Sequence, residues 1–333
     1  MIGRLFAHRE ALLGVVLVVI MVLFGVANPS FFSAAHLFGV ARSAVVLGIM
    51  ALGVMTVLVT NGIDISVPAI EVVSMYLTTV TLNAINFQGT VLLAIAVGCL
   101  IGAVLGLVNG ILVAWLRLPA MIVTIGTLTL YRGGLLAFVG TERIRVLPAQ
   151  MSEFGQLSLF SVNSGGRIAS LSVTVLIWAL LAVGLALLLK RTWWGRYLYA
   201  IGDNEEAAER LGVKINRTRI SAFVLSGLLA GLGGIFYASM NRAADPSTLI
   251  GFEMSVLAAV VLGGANVTGG RGTVTGTVLG VLLITVVGNS LVLVGIPSAW
   301  QQVFVGGFLL IGVVMPAFRD RRERIKRGKV VDD

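Results

Sequence analysis

The segment Gly98–Pro119, GCLIGAVLGLVNGILVAWLRLP, decides the fold because a similar segment recurs as Gly276–Pro297, GTVLGVLLITVVGNSLVLVGIP. Both copies are apolar, end in proline and contain glycines four residues apart. This spacing of small residues lets membrane helices approach one another closely. The corresponding glycines are Gly98 and Gly276, Gly102 and Gly280, and Gly110 and Gly288. We interpret the pair as an internal repeat.

The composition around this repeat is that of a membrane protein. Of 333 residues, 57% are hydrophobic and 12% are charged, whereas soluble domains carry about 25% charged residues. Only helices and closed barrels span a bilayer, and apolar runs of helical length predict an all-α polytopic membrane protein. The net charge of +9 is concentrated at 190–219 and 319–329, next to apolar segments. That location favours a topology signal over a nucleic-acid partner.

Apolar segments near the roughly 17–25 residues that a spanning helix needs predict about ten transmembrane helices. The third and eighth are short and contain Glu71 and Glu253. The predicted spans are 11–27, 43–60, 67–82, 90–116, 118–139, 168–189, 220–240, 253–267, 273–295 and 297–316.

An even number of spans places both termini on the same side of the membrane. Most Lys and Arg residues then lie in segments on the side of the termini, which the positive-inside rule assigns to the cytoplasm. The sequence therefore predicts a single transmembrane domain over 1–333 in an inner membrane, with both termini in the cytoplasm. Its non-spanning parts are a cytoplasmic N-terminus (1–10), a periplasmic loop (140–167), a cytoplasmic loop (190–219) and a basic cytoplasmic tail (317–333).

The two copies of the repeat fall in the fourth and ninth predicted spans. Because this offset is odd, the copies cross the membrane in opposite directions. The pattern predicts two inverted five-helix halves, a plan that many transporters share, with the substrate route between the halves.

Catalytic motifs are missing from the sequence. His8 and His36 have no metal-ligand spacing, Cys99 is the single cysteine, and no Walker A element occurs. We therefore expect no enzyme activity, no catalytic or metal-binding residue and no cofactor in this chain. If ATP drives the protein, another subunit binds it.

Polar groups within apolar spans are the candidate functional residues, because they are costly in hydrocarbon. In Thr60–Pro68, TNGIDISVP, glycine and proline predict a break in the helix. One interpretation is a cavity site where Asp64 caps the next helix while Asn61 and Ser66 bind a hydroxylated substrate. The other is a cytoplasmic turn with an N-capping aspartate. Arg132 and Glu253 are expected to reach the outer membrane surface.

The inner segment 192–219 has the pattern of a short surface helix. Asp203 or Asn204 is a candidate N-cap, acidic residues favour the first turn, and Gly212 is a candidate end. A solvated loop is the alternative.

Several motifs in the same order resemble the permease subunits of bacterial ribose-type sugar ABC importers, along nearly the whole chain. The motif sequences most resemble those of the branch that imports autoinducer-2 and sugars such as rhamnose. These motifs are Asn61–Val67, Leu118–Thr127, Tyr131–Gly133, Gly195–Asn204, Ser226–Gly234 and Val260–Gly272.

The resemblance implies partners and a mechanism. The permease would pair with a second copy, as a homodimer or heterodimer, within membrane lipid. ABC ATPase subunits would bind ATP and Mg, and a periplasmic sugar-binding protein would deliver a monosaccharide or polyol-like solute. Transport would proceed by alternating access.

The polar residues of the spans and the resemblance together give two sets of candidate residues. The hypothetical substrate pathway comprises Asn61, Asp64, Ser66, Thr124, Thr127 and Asn266. The ATPase-coupling set comprises Gly202, Asp203, Asn204, Glu205, Glu206, Leu211 and Gly212. Asn61 and Pro68 stand where the family usually has glycine.

Two other functions fit the residues. An ion-coupled secondary transporter would use Asp64, Glu71 and Glu253 as proton or sodium sites. An ABC permease for branched-chain amino acids or nucleosides would share the fold and differ in substrate.

Overall fold

The computed structural model describes residues 2–164, 167–312 and 314. The basic tail predicted at 317–333 lies outside the described residues. The helices are α1 Ile2–Ala27, α2 Ala34–Val59, α3 Val67–Ala84, α4 Val91–Gly110, α5 Ala120–Phe138, α6 Ala149–Phe154, α7 Val173–Arg191, α8 Trp193–Asp203, α9 Glu205–Arg210, α10 Ile215–Asn241, α11 Phe252–Leu262, α12 Val274–Leu293 and α13 Trp300–Gly312.

Shorter elements complete the described chain. A 3₁₀ turn, Pro29–Phe32, joins α1 to α2, and a π-helical turn, Ile111–Trp115, extends α4. Strands β1, Ser158–Ser164, and β2, Arg167–Ser172, form an antiparallel hairpin before α7.

The predicted all-α polytopic membrane fold is confirmed. Eight described helices are long and apolar enough to cross a membrane, and α11 and α13 are shorter apolar helices. Each of the ten predicted spans falls on one of these ten helices. The eighth predicted span corresponds to α11, which is short as expected. The third corresponds to α3, which is longer than expected at 18 residues. The sixth prediction began too early, because 168–172 pairs as β2 and Ser172 caps α7.

The contacts between helices fit the predicted plan of two structurally related halves. The central helices α2 and α10 pack against each other. In addition, α10 packs on α3 and α4 of the first half, and α2 packs on α11 and α12 of the second. Within the halves, α3 contacts α4 as α11 contacts α12. Exchanging α2–α4 with α10–α12 reproduces this set of contacts, as an internal two-fold relation requires.

The repeated glycines have different neighbours in the two halves. A methyl group at Gly102 of α4 would overlap the carbonyl oxygen of Gly227 on α10, so this contact joins the halves. A methyl group at Gly280 of α12 would overlap the carbonyl oxygen of Ala259 on α11, within one half. The repeat therefore predicts which positions pack closely, but it does not predict which helix they pack against.

Contacts between the ends of α1 and α12 define the two faces of the helix bundle. Thr273, at the start of α12, donates a hydrogen bond to Glu10, and Asn28, after α1, donates to the carbonyl oxygen of Leu293. Helices α1 and α12 therefore run side by side in the same direction. We call the face with Glu10, Thr273 and α8 the α8 end, and the opposite face, with β1 and β2, the hairpin end.

Candidate functional site

The break between α2 and α3 is the first candidate site. Asn61 has a left-handed backbone (φ 63°), and the N–H of Gly62 bonds back to the carbonyl oxygen of Val57. The chain thus turns inward before α3 starts at Val67. From Asp64 onward, the side chains of the break are consequently buried in the bundle, whereas Asn61 stays exposed.

Asp64 is the centre of a buried hydrogen-bond network. Its side chain is 3% exposed and accepts bonds from the N–H of Ser66 (3.0 Å), the Ser66 hydroxyl (2.6 Å) and the Ser226 hydroxyl of α10 (3.3 Å). Ser226 is about 16 Å along α10 from the α8 end at 1.5 Å per residue. Asp64 therefore lies inside the bundle, and the alternative of a cytoplasmic turn is wrong. Because its carboxylate bonds to Ser66, the residue before α3, Asp64 also does not cap α3 as both interpretations expected.

The network extends across two more helices. Asn109 of α4 donates to the Ser66 hydroxyl (2.7 Å), and Tyr131 of α5 donates to Asn109 (3.2 Å). Each of these groups already has a partner within the protein. A satisfied polar network of this kind specifies and rigidifies the core around it.

Two predicted threonines lie beside the same break. Thr124 donates to the carbonyl oxygen of Ile63 (3.0 Å), and both Thr124 and Thr127 are buried. The structure therefore brings together four predicted pathway residues, namely Asp64, Ser66, Thr124 and Thr127.

The other two predicted pathway residues lie apart from this network, at the α8 end. Asn61 is exposed and packs against Gly269. Asn266 stabilises its own turn, accepting from the N–H of Thr268 (3.3 Å) while its N–H bonds to the carbonyl oxygen of Arg271. This turn, 266–271, meets the end of α2, where the N–H of Gly270 donates to the carbonyl oxygen of Val59 (2.9 Å).

The predicted inner surface helix is present, but as two helices. Asn204 caps α9 by accepting from the N–H of Ala207 (2.9 Å), and Gly212 follows with φ +83°. Asp203 is the last residue of α8, so it does not cap the helix that follows. Thr192 caps α8 in the same way, accepting from the N–H of Gly195 (3.2 Å). The solvated-loop alternative is wrong.

One face of α8 and α9 is anchored to the transmembrane core. Gly202 lies so close to the carbonyl oxygen of Val59 that a methyl group would overlap it. The Tyr199 hydroxyl donates to the carbonyl oxygen of Gly272 (2.8 Å). Glu205 forms an ion pair with Arg219 of α10 (2.7 Å). The segment therefore touches the central helices α2 and α10.

The opposite face of the same segment is free in this chain. Leu211 is 83% exposed, and the Glu206–Arg210 ion pair lies at the surface. Exposed ion pairs add little stability, and a bare leucine adds none. This face is therefore available to another protein.

Acidic residues in the spans are dispersed. Glu253 pairs with Arg132 at 3.5 Å, and both side chains are largely buried, so the expectation that each reaches the surface is wrong. Glu71 is fully buried against Gly233 and Gly234, without a hydrogen-bond partner among the described residues. Asp64, Glu71 and Glu253 therefore have three separate environments. In the described chain, no three His, Cys, Asp or Glu side chains are grouped for a metal ion.

An open cavity of about 390 Å³ at the hairpin end was not predicted. It lies between α2, α11, α12 and α13. Its lining residues are Ser43, Leu47, Phe252, Ser255, Ile284, Thr285, Gly288, Asn289, Val292 and Gln301. A sequence signal exists: Thr285 and Asn289 are four residues apart in an apolar span, which places both on one helix face.

The fold and these sites define a multi-pass membrane protein with an exposed helical face at the α8 end and an open cavity at the hairpin end. Residues 36–314 match the family model described as "Branched-chain amino acid transport system / permease component". The chain belongs to this family of permease components. It is thus a multi-pass inner-membrane transport protein and not an enzyme.

Two curated relatives show the same class. The chain is 36% identical to the autoinducer 2 import system permease protein LsrC of Yersinia pestis (strain Pestoides F) over 309 residues. It is 37% identical to the LsrC protein of Yersinia pseudotuberculosis serotype O:1b (strain IP 31758). Each alignment covers 92% of this chain and 84% of the relative. No solved structure matches the chain.

Proposed function

We propose that this chain is the translocating subunit of an ATP-driven importer for a monosaccharide or a related polyol-like solute. The anchored pair α8–α9 is the observation that carries the proposal, because it offers one exposed face to a partner and fixes the other face to both central helices. The similarity to permeases named for autoinducer 2 import supports the substrate class.

The mechanism follows from those contacts. ATPase subunits that bind ATP and Mg dock on the exposed face of α8–α9, which is cytoplasmic if both termini are. Their closure moves the segment, and the Glu205–Arg219 ion pair and the Gly202–Val59 contact transmit this motion to α10 and α2. Tilting of packed helices converts an outward-open state to an inward-open one. A second permease copy and a periplasmic binding protein complete the importer.

A branched-chain amino acid permease is the second candidate, since the family description names that substrate. An amino acid brings an ammonium and a carboxylate into the membrane, and burying such charges requires opposite charges nearby. The outer cavity is lined by neutral groups, which favours an uncharged solute. Uptake assays of the assembled importer with labelled sugars, leucine and a nucleoside separate the candidates.

Ion-coupled transport receives less support. A sodium site gathers several oxygen ligands around the ion, and Asp64, Glu71 and Glu253 are dispersed in the described structure. Uptake that requires ATP and continues when the proton and sodium gradients are abolished would confirm this preference.

A single exposed substitution tests the coupling face. Leu211→Asp places a charge on the proposed docking surface without disturbing the core, because Leu211 is 83% exposed. We expect the ATPase to separate from the permease on co-purification and uptake to fall at least tenfold. Binding-protein docking should not change.

The matched control is Ile168→Asp, an equally exposed apolar residue (80%) at the hairpin end. It should leave ATPase association intact. Normal association and uptake in Leu211→Asp, and after replacement of 203–212 by a Gly/Ser linker, would rule out the coupling role.

A further inference from the structure

We propose that the open cavity between α2, α11, α12 and α13 is the first binding site for the solute within this chain. The site would hold a neutral polyhydroxylated molecule through hydrogen bonds to Ser255, Asn289 and Gln301. This inference rests on the proposed import function and adds a location that the sequence-predicted pathway lacks.

The position of the cavity fits a site that opens outward. Asn289 and Val292 lie near the hairpin end of α12, and Ile284 lies about 14 Å from that end at 1.5 Å per residue. The hydrocarbon core is about 30 Å thick. The cavity therefore reaches nearly half way across the membrane from the face that the charge pattern predicts to be periplasmic.

Buried apolar residues of α2 close the cavity on the inner side. Leu47 lines the cavity, and Gly53, about 9 Å further along α2, packs on Ser226 of the Asp64 network. Between them, Met50 and Leu52 are at most 1% exposed. The cavity thus opens at the hairpin end and is separated from the α8 end by packed core, as one state of an alternating-access transporter requires.

The lining suits hydrogen bonding to a neutral solute. Half of the ten lining side chains are uncharged polar groups, namely Ser43, Ser255, Thr285, Asn289 and Gln301. The rest of the wall is apolar apart from Gly288, as in ligand sites of about 300–1,000 Å³ that combine apolar walls with a few polar groups. A sugar presents both hydroxyl edges and C–H faces, and these match the two parts of the wall.

Some polar side chains of the lining are oriented by hydrogen bonds within the protein, and others make no hydrogen bond among the described residues. Ser43 donates to the Asn289 side-chain oxygen (3.4 Å), and Asn289 donates to the carbonyl oxygen of Thr285 (2.9 Å). Ser255 and Gln301 make no side-chain hydrogen bond to any described residue. A hydroxylated ligand needs both oriented and unpaired polar groups in its site, because each of its hydroxyls must replace a bond to water.

Gly288 keeps the site open. A methyl group at Gly288 would lie 2.6 Å from the side-chain nitrogen of Gln301. A larger side chain would push Gln301 aside and fill the space. Gly288 is one of the repeated glycines, and this contact gives it a role that its counterpart Gly110, packed on Ile220 and Phe223 of α10, does not have.

The test uses the complete importer, with ATPase and binding protein, reconstituted in proteoliposomes. Asn289→Leu and Gln301→Leu keep side-chain volume and remove hydrogen bonds. We expect each to lower uptake at saturating loaded binding protein roughly two- to tenfold, since one hydrogen bond is worth about 0.5–1.5 kcal/mol. Gly288→Val should lower uptake further by occupying the cavity. Assembly of the permease with its ATPase should remain normal.

The matched control is Gln156→Leu, the same change at an exposed hairpin-end residue outside the cavity. It should transport normally. Normal uptake in Asn289→Leu, Gln301→Leu and Gly288→Val would overturn the assignment of the cavity, provided that the unsubstituted importer is active. An unsubstituted importer that takes up no neutral sugar would instead contradict the proposed function.

A thiol experiment covers the case in which these variants fold poorly. In a Cys99→Ala background, Ser255→Cys changes one atom, and a membrane-impermeant maleimide is added from the outside. We expect labelling to occur, to block uptake and to slow when loaded binding protein is present. Failure of the thiol to react, or reaction without loss of uptake, would overturn the proposal.

Discussion

The two inverted halves contain the same chain break in opposite environments. After α2, a left-handed Asn61 is followed three residues later by Asp64 and then by Ser66. After α10, a left-handed Arg242 is followed at the same spacing by Asp245 and Ser247. In both breaks the aspartate accepts a bond from the serine N–H, at 3.0 Å and 2.8 Å.

The environments differ in burial and partners. Asp64 is buried and also accepts from the hydroxyls of Ser66 and Ser226. Asp245 is partly exposed at the hairpin end, next to an isolated bridge between Ile144 and Ala244. One local turn motif thus anchors the transmembrane core in the first half and supports a surface loop in the second. The difference teaches that an internal repeat conserves backbone geometry more readily than the role of a side chain.

The largest effect is expected when the two aspartates are removed in turn. Asp64→Ala leaves the N–H of Ser66 and the hydroxyls of Ser66 and Ser226 without their acceptor inside the core, so the free energy of unfolding should fall by about 3 kcal/mol. Asp245→Ala loses one turn bond and should cost about 0.5–1 kcal/mol. Thermal unfolding in detergent measures both. Equal losses would show that the buried network adds nothing to the shared turn.

An intermediate effect is expected for the glycines that join the halves. Gly102→Leu would force α4 away from α10, and overpacking of this kind costs about 1–3 kcal/mol. The control Gly184→Leu lies on α7 at a position with no atom within 4 Å of an added Cβ. It should leave the unfolding temperature nearly unchanged. A small loss at Gly102 would mean that the α4–α10 contact is loose.

The smallest effect distinguishes the two left-handed residues. Glycine adopts this backbone without strain, and asparagine tolerates it better than arginine does. We therefore expect Arg242→Gly to stabilise the protein by about 1 kcal/mol and Asn61→Gly by about half as much. Chemical unfolding of the two variants gives the comparison. The opposite order would indicate that Arg242 makes a stabilising contact that outweighs its backbone strain.

Much of the fold follows from local sequence. Apolar runs of spanning length located the ten apolar helices of the described residues, because an apolar helix favours the lipid interior whichever helices become its neighbours. The caps at Asn204 and Gly212 were also predictable, because capping depends on residues a few positions apart. Only four of the six predicted pathway residues lie together in the structure. Asn61 and Asn266 stay at the α8 end, and the cavity residues were not found at all.

What the sequence alone established is the class of the protein, namely a membrane permease with inverted repeats and a helical surface segment. Periodicity, charge asymmetry and motif order are properties of the chain and need no contacts. Only the tertiary structure decided that Asp64 is enclosed by Ser226 and Asn109, that Arg132 meets Glu253, and that Ser255 and Gln301 face one cavity. Those outcomes depend on which helices become neighbours, and residues far apart in the chain carry no local signal of that pairing.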